Sequence, residues 1–298
     1  YKKSLVLCFH GPRKVAGTGS DQGGCRQDLE AVFNNDGNPG PGMQFQMRAD
    51  TYPEHLAVIA REDMGLDPKR CTGFCTAASM DNASIQSMAH EDFTVTAIVT
   101  AGIESNGCRI GDPASYTEEP GTINIILHID ADLPDGTLLK ALSSCTEAKT
   151  AAIQELLASS RYSRGLATGS GTDGVIVVCN TASEKKLTDA GSHSRLGEYI
   201  GKTVIKAVKE ALLLQTGLNP RSQHDILRRM DRFGVTQDTL WAAYEKKHIQ
   251  KEHLPRYAFE DWLDGIKTGD MLVTCTSLYA HLLDQLDWGL LTPVEAWP

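Results

Sequence analysis

A chain of 298 residues is long enough to bury one large core or a core with an appendage, and 41% hydrophobic with 22% charged residues is the composition of a soluble globular protein. A formal net charge of −9 leaves no basic footprint for nucleic acid or an anionic membrane, and no run approaches the ~20 apolar residues of a membrane span. The eight cysteines are scattered, several of them inside apolar runs, which is the usage of reduced thiols in a cytoplasmic protein. Cys71 and Cys75 lack a second Cys or His pair at ligand spacing, so no metal site is expected.

In chain order, residues 5–9 predict a first strand; their apolar run ends at His10-Gly11-Pro12, too soon for a signal peptide. Residues 14–24 (KVAGTGSDQGG) read as a glycine-rich hairpin loop, and Asn34-Asn35-Asp36-Gly37-Asn38-Pro39-Gly40-Pro41-Gly42 as an exposed turn cluster. The spacing of Leu56, Ile59, Ala60 and Met64 predicts a helix over 52–64, with Pro53 in its first turn and Gly65 at its end. Residues 71–78 and 93–100 predict strands, the second suited to a sheet buried on both faces. The loop that follows sets an amide (Asn106), a guanidinium (Arg109) and a carboxylate (Asp112) close together. Either Arg109 and Asp112 pair internally to stiffen a turn, or Asn106 and nearby N–H groups stabilise an oxyanion while the charged pair grips a ligand.

Residues 122–129 then predict a buried strand, 137–157 an amphipathic helix and 175–179 another strand. His128 reads as a core histidine, and Glu147 with Lys149 either as an exposed charge pair of the helix, the default, or as a pair of which one member reaches back to the site. The turn Gly169-Ser170-Gly171-Thr172-Asp173-Gly174 fits G-x-G-x-x-G formally, but it opens a strand where a dinucleotide site would open a helix. It is instead a tight turn presenting Ser170, Thr172 and Asp173. His193 and Glu198 stand five apart at a helix entry, off the spacing of H-E-x-x-H, with Ser192 or Ser194 available as a cap. His193 has the pKa range of a proton carrier for a leaving amine. Beyond Gly217-Leu218-Asn219-Pro220 the composition turns charged and Trp-rich (Trp241, Trp262, Trp288, Trp297). Apolar spacing at Ile226, Met230 and Phe233, at Leu240, Ala243, Tyr244 and Ile249, and at Leu278, Leu282, Leu283 and Leu286 predicts at least three helices, packed on the main body or forming a homodimer contact.

Five pieces in this order, TAGIESNGCRIGDPA (100–114), PGTINIIL (120–127), TEAKTAA (146–152), ATGSGTDGVIVV (167–178) and HSRLGEYIG (193–201), resemble the adenosylcobinamide amidohydrolases, a corrinoid-salvage family. Ser170 departs from an expected TGTGTD but keeps the hydroxyl. The resemblance implies a hydrolase that cleaves the amide joining aminopropanol to the propionate arm of the corrin ring, giving adenosylcobyric acid. It implies no protein-bound cofactor, the corrinoid being substrate, and with the shift in composition after Gly217 the chain divides into an amidohydrolase domain at 1–217 and a helical extension at 218–298. A corrinoid-binding protein without catalysis, and an amidase or peptidase of the same fold, are the alternatives.

The segment TINIILHIDA from Thr122 is also similar to that which begins with the nucleophile in the ornithine acetyltransferases and the D-aminopeptidase relatives. That likeness implies an α+β fold, a layered αββα sandwich with mixed sheets, to which the helical C-terminal region is added. It further implies cleavage of Gly121-Thr122, freeing an α-amine as base for the Thr122 hydroxyl. The residues so singled out are Thr122, Asp173, His193 and Asn106 as catalytic, and Arg109, Asp112, Asn124, Ser170, Thr172 and Glu198 as substrate-binding.

Overall fold

The computed structural model describes residues 3–40, 43, 45–114, 120–247 and 254–296. Pro41, Gly42, Ile249 and Trp297, which figured in the sequence reading, lie outside them. The strands and helices of the main body are β1 (Ser4–Cys8), β2 (Arg13–Gly17), β3 (Gly24–Arg26), β4 (Ala31–Asp36), α1 (Tyr52–Val58), β5 (Cys71–Thr76), β6 (Ser84–Ala89), β7 (Thr94–Gly102), β8 (Thr122–Ile129), α2 (Asp135–Glu155), β9 (Gly174–Asn180) and α3 (Arg195–Thr216). Two mixed sheets form, a small one in the order β1-β4-β5 and a large one in the order β3-β2-β9-β8-β7-β6.

Three hydrophobic layers separate four structural ones. Ala31, Phe33, Leu56, Ile59 and Cys71 pack between α1 and the small sheet. Val32, Phe74, Ile126, Ile176 and Val178 lie between the two sheets. Ile123, Ile125, Leu127 and Ile129 meet Leu138, Cys145, Ile153, Val204 and Val208 between the large sheet and α2 and α3. The result is the expected αββα sandwich. It follows from the period-two alternation of the strands: along β8 the odd-numbered residues face the helices and the even-numbered ones face the small sheet. The four odd-numbered apolar side chains of β8 are fully buried and contribute about 1.5–3 kcal/mol each.

Several local expectations change. The reading of 14–24 as loop gives way in its first half to β2, which pairs antiparallel with β9, while the turn before β3 is the expected hairpin. Asn34, Asn35 and Asp36 are not turn residues but the end of β4, held between β1 and β5; Asn35 donates to Ser4 Oγ at 2.8 Å. β6 was not expected because its alternation is inverted: Ile85 points out and Ser84 points in, bonded to Glu210. The α1 helix starts on a Thr51–Glu54 capping box and continues as a π-helical turn (Ile59–Asp63) before Gly65 at φ +70°. Ser194, not Ser192, caps α3, and Gly217 ends it in the left-handed conformation.

The C-terminal part forms α4 (Ile226–Met230), α5 (Gln237–Lys247), α6 (Arg256–Ile266), α7 (Asp270–Asp287) and α8 (Pro293–Ala296). Phe259 is buried in a ring cluster with Trp241 and Tyr244 and Leu263 is buried too, whereas of the α7 leucines Leu278 is 63% exposed and Leu282, Leu283 and Leu286 are half-buried. The side turned in carries Asp284, which takes both Arg232 guanidinium nitrogens, and Arg232 stacks on Phe233 at 4.4 Å. These helices sit on the main body through Arg161–Asp231 at 2.5 Å, Arg228–Glu104 at 3.2 Å and Arg164–Asp287 at 3.3 Å. No helix among the described residues is long and apolar enough to cross a membrane.

Burial pushes the Cys71 and Cys145 thiols up to about 12 and Cys75 to about 11, while Cys8, Cys25 and Cys275 are exposed. Brief alkylation of the native protein at mildly alkaline pH should therefore modify Cys8, Cys25 and Cys275 and spare Cys71 and Cys145, as peptide mass mapping would show.

Candidate active site

The first residue of β8 and the turn before β9 lie side by side because these strands pair in parallel, Asn124 opposite Gly174. Asp173 occupies the centre of the contact. Its Oδ1 accepts from the Ile123 backbone N–H at 3.0 Å and from Ser170 Oγ at 2.6 Å, and its Oδ2 pairs with Lys149 of α2. The two charged side chains are only 8% and 11% exposed. Ser170 N–H adds longer bonds to both carboxylate oxygens. Gly169 leaves no room for a side chain here, since a Cβ would lie 2.2 Å from Asp173 Oδ2.

Thr172 is thereby held over the Gly121-Thr122 peptide. Its carbonyl accepts from the Thr122 hydroxyl at 2.9 Å, and its own hydroxyl donates to the Gly121 carbonyl at 3.1 Å. From the opposite side Asn106 Nδ2 donates to the same Gly121 carbonyl at 2.7 Å. Asn106 is 3% exposed, and its Oδ1 has no hydrogen-bond partner among the described residues. A carbonyl carbon flanked by two converging donors, with a hydroxyl on the next residue, is the arrangement needed to stabilise an oxyanion.

Asn124 lies two residues beyond Thr122 on the same strand face and donates to Asn34 Oδ1 at 3.0 Å, while Asn34 donates to Thr100 Oγ1 at 2.8 Å. All three are buried, so the space between the sheets is polar at this end and apolar further along.

The loop carrying Asn106 is laced to the segment after α2. Cys108 N–H donates to Gly169 carbonyl and Thr168 N–H to Cys108 carbonyl, both at 2.8 Å. Ile110 N–H donates to Thr168 Oγ1 at 2.9 Å. Arg161 N–H donates to Gly107 carbonyl at 2.8 Å, and its Nε to Glu104 carbonyl at 2.7 Å. Arg109 and Asp112 meet differently from the expected ion pair. Asp112 accepts from the Arg109 backbone N–H at 2.9 Å and from Ser160 Oγ at 2.6 Å, and the Arg109 guanidinium reaches the Leu166 carbonyl. Burial would push the Asp112 carboxyl up, but bonds from Ser160, Ser163 and Arg109 N–H, with the Arg109 charge, hold it below its ordinary value.

The structure thus brings together Asn106, Thr122, Ser170, Thr172 and Asp173, with Asn124 behind them and Arg109 and Asp112 at the loop's rim. It does not bring His193 and Glu198 to this cluster. The end of α3 lies against the start of the site, Gln215 and Thr216 flanking Gly102, which pairs with Thr122. The beginning of α3 packs Tyr199 on Phe93 at the other end of the sheet, roughly 23 Å away at about 3.3 Å per strand residue. There His193 is exposed and the Glu198 carboxylate is shared by Arg195 and Lys202, each at 2.6 Å. Their spacing at a helix entry suggested a corner near the ligand, but α3 runs antiparallel to what that required.

Of Glu147 and Lys149, it is Lys149 that reaches the site, although it was not among the residues singled out. It is 7% exposed and stands four residues from both Cys145 and Ile153 on the buried face of α2. That spacing was the available signal.

A strand-initial threonine, two donors on the preceding carbonyl and a buried carboxylate are groups that acyl chemistry can use. Residues 1–220 match the profile of the family described as adenosylcobinamide amidohydrolase, and the chain belongs to that family. It is 33% identical over 232 residues to an uncharacterized protein of Methanocaldococcus jannaschii, covering 72% of this chain and 87% of that protein. It is 29% identical over 221 residues to the adenosylcobinamide amidohydrolase of Methanosarcina mazei, covering 72% of this chain and 96% of that protein. Among solved structures, the PH0078 protein of Pyrococcus horikoshii aligns over 76% of this chain and 82% of its own, with 11% identity and a TM-score of 0.35.

Replacing Lys149 by Met leaves the Asp173 charge buried and unpaired, which should destabilise the protein by about 3–5 kcal/mol in denaturant titration. His193→Ala, by contrast, should leave both stability and turnover at wild-type values.

Proposed function

We propose that this protein hydrolyses the amide between aminopropanol and the corrin propionate arm of adenosylcobinamide, with Thr122 as nucleophile. Family membership supports the substrate, and the observation that carries the mechanism is the Gly121 carbonyl held by Asn106 Nδ2 and Thr172 Oγ1 beside the Thr122 hydroxyl. The backbone carbonyl that accepts the Thr122 hydroxyl orients it but cannot take its proton, so attack needs a separate base.

In this reading the base is made by the chain itself. In this first, single turnover the Thr122 hydroxyl adds to the Gly121 carbonyl, the oxyanion rests on Asn106 and Thr172, and the hydroxyl proton ends on the Thr122 nitrogen as the C–N bond breaks and the acyl group moves from nitrogen to oxygen. Water hydrolyses the ester, leaving a Gly121 carboxylate and a free Thr122 amine, with an unperturbed pKa near about 8. That amine then takes the hydroxyl proton as Oγ attacks the substrate amide. The same two donors stabilise the new oxyanion, the proton passes to the departing nitrogen, aminopropanol leaves, and water releases the corrin carboxylate. Ser170, Asp173 and Lys149 position the turn that holds Thr172. On this reading Arg109 and Asp112, at the rim, meet the polar arms of the corrinoid.

Thr122→Ala should abolish release of aminopropanol from adenosylcobinamide while leaving the fold intact, and intact-mass analysis should find the wild-type chain cut between Gly121 and Thr122. An active, uncut chain would remove the self-processing step, and an active Thr122→Ala would remove the nucleophile.

A further inference from the structure

If the Gly121 carbonyl stands where the substrate carbonyl will stand, Gly121 Cα stands where the first carbon of the acyl arm will stand. The space around that carbon is defined on one side. A Cβ added there in the L configuration would lie 2.1 Å from Asn106 Oδ1, 2.7 Å from Asn106 Cγ and 2.8 Å from the Gly102 carbonyl oxygen. Separations this short lie well inside van der Waals contact.

Neither wall can step aside. Asn106 is buried, and turning its amide away would forfeit the bond from Nδ2 to the carbonyl, the one contact that polarises the reacting centre from that side. The loop beneath it is fixed by Gly107 N–H to Ile103 carbonyl at 2.8 Å. Gly102 is the last residue of β7 and is paired with Thr122, so its carbonyl is part of the sheet. Asn106 Oδ1, which has no hydrogen-bond partner among the described residues, therefore faces the position of the α-substituent, where a hydrogen fits and a methyl does not.

Resting on the reading of Thr122 as nucleophile, we propose that Asn106 and the Gly102 carbonyl make this site selective for amides whose acyl carbon next to the carbonyl is a methylene. It refuses the L-branched acyl groups of ordinary peptides. One residue then serves two ends of the same reaction: the nitrogen of the Asn106 amide stabilises the oxyanion, and its oxygen excludes the wrong acid. The corrin propionate arm, which reaches its amide through a methylene, meets this requirement, and the acyl side of most peptide bonds does not.

The test uses the full-length wild-type protein and aminopropanol amides of propanoic acid, N-acetylglycine and N-acetyl-L-alanine, with released aminopropanol measured by mass spectrometry. The first two should be hydrolysed, and the L-alanyl amide should have a kcat/KM lower by about 100-fold, the upper range for one misplaced methyl group. Comparable rates for the glycyl and L-alanyl amides would overturn the proposal. So would an enzyme that hydrolyses adenosylcobinamide but neither unbranched amide, because a site fitted to the methylene must process it. Thr122→Ala measured alongside separates the two levels: tolerance of branching with Thr122→Ala inactive removes only the selectivity, whereas activity persisting in Thr122→Ala removes the site reading on which it rests. Inertness towards adenosylcobinamide as well removes both.

Discussion

The buried ion pair between Lys149 and Asp173 is the constraint from which the site's geometry descends. A carboxylate this far from water is tolerable only when its oxygens are saturated by donors. Those donors come from the first strand-bonded N–H after Thr122, from the Ser170 side chain and backbone, and from a lysine on the helix that connects the two strands. Meeting the electrostatic demand of one side chain thus draws three elements to one point. Thr172, immediately before Asp173 in the chain, has its carbonyl and hydroxyl placed over Gly121 and Thr122 as a result.

The strand β8 divides its labour by parity. Its odd-numbered residues supply four fully buried aliphatic side chains to the helical side, and its even-numbered residues begin with Thr122 and Asn124 on the side facing the small sheet. A register slip of one residue would exchange core for site, so the apolar face that stabilises the strand also determines which hydroxyl is presented. The second sheet keeps this end polar by sending Asn34 across to Asn124 and Thr100.

Much of this was readable in the residues. The bounds of β8 and the nature of α2 and β9 follow from apolar patterning, and the turn before β9 could be assigned to a strand rather than a nucleotide site because no helix follows it. Asn106, Thr122, Ser170, Thr172 and Asp173 were drawn together by resemblance, since nothing in spacing places residue 106 beside residue 121. What was not readable had tertiary causes. Asn34 and Asn35 have the local chemistry of a turn, and pairing with β1 and β5 overrides it. Lys149 read by default as half of an exposed pair, with reach to the site as the alternative, and the buried Asp173 is what draws it inside. His193 was a plausible proton carrier by type, and only the direction of α3 places it at the far end of the sheet.

The C-terminal helices, which lie outside the stretch matched by the family, rest on the loop that carries Asn106. Arg161 holds Gly107 and Glu104 by their carbonyls and is itself held by Asp231, while Arg228 takes the Glu104 carboxylate. These pairs are about one-third exposed or more, unlike Lys149 and Asp173. Dissolved ions, whose screening length falls from about 10 Å at 0.1 M to about 3 Å at 1 M, reach the former and not the latter. The two sides of the candidate site therefore answer differently to ionic strength: the strand side that carries Thr172 is insulated, and the loop side that carries Asn106 is tied to the surrounding electrolyte through a region far along the chain.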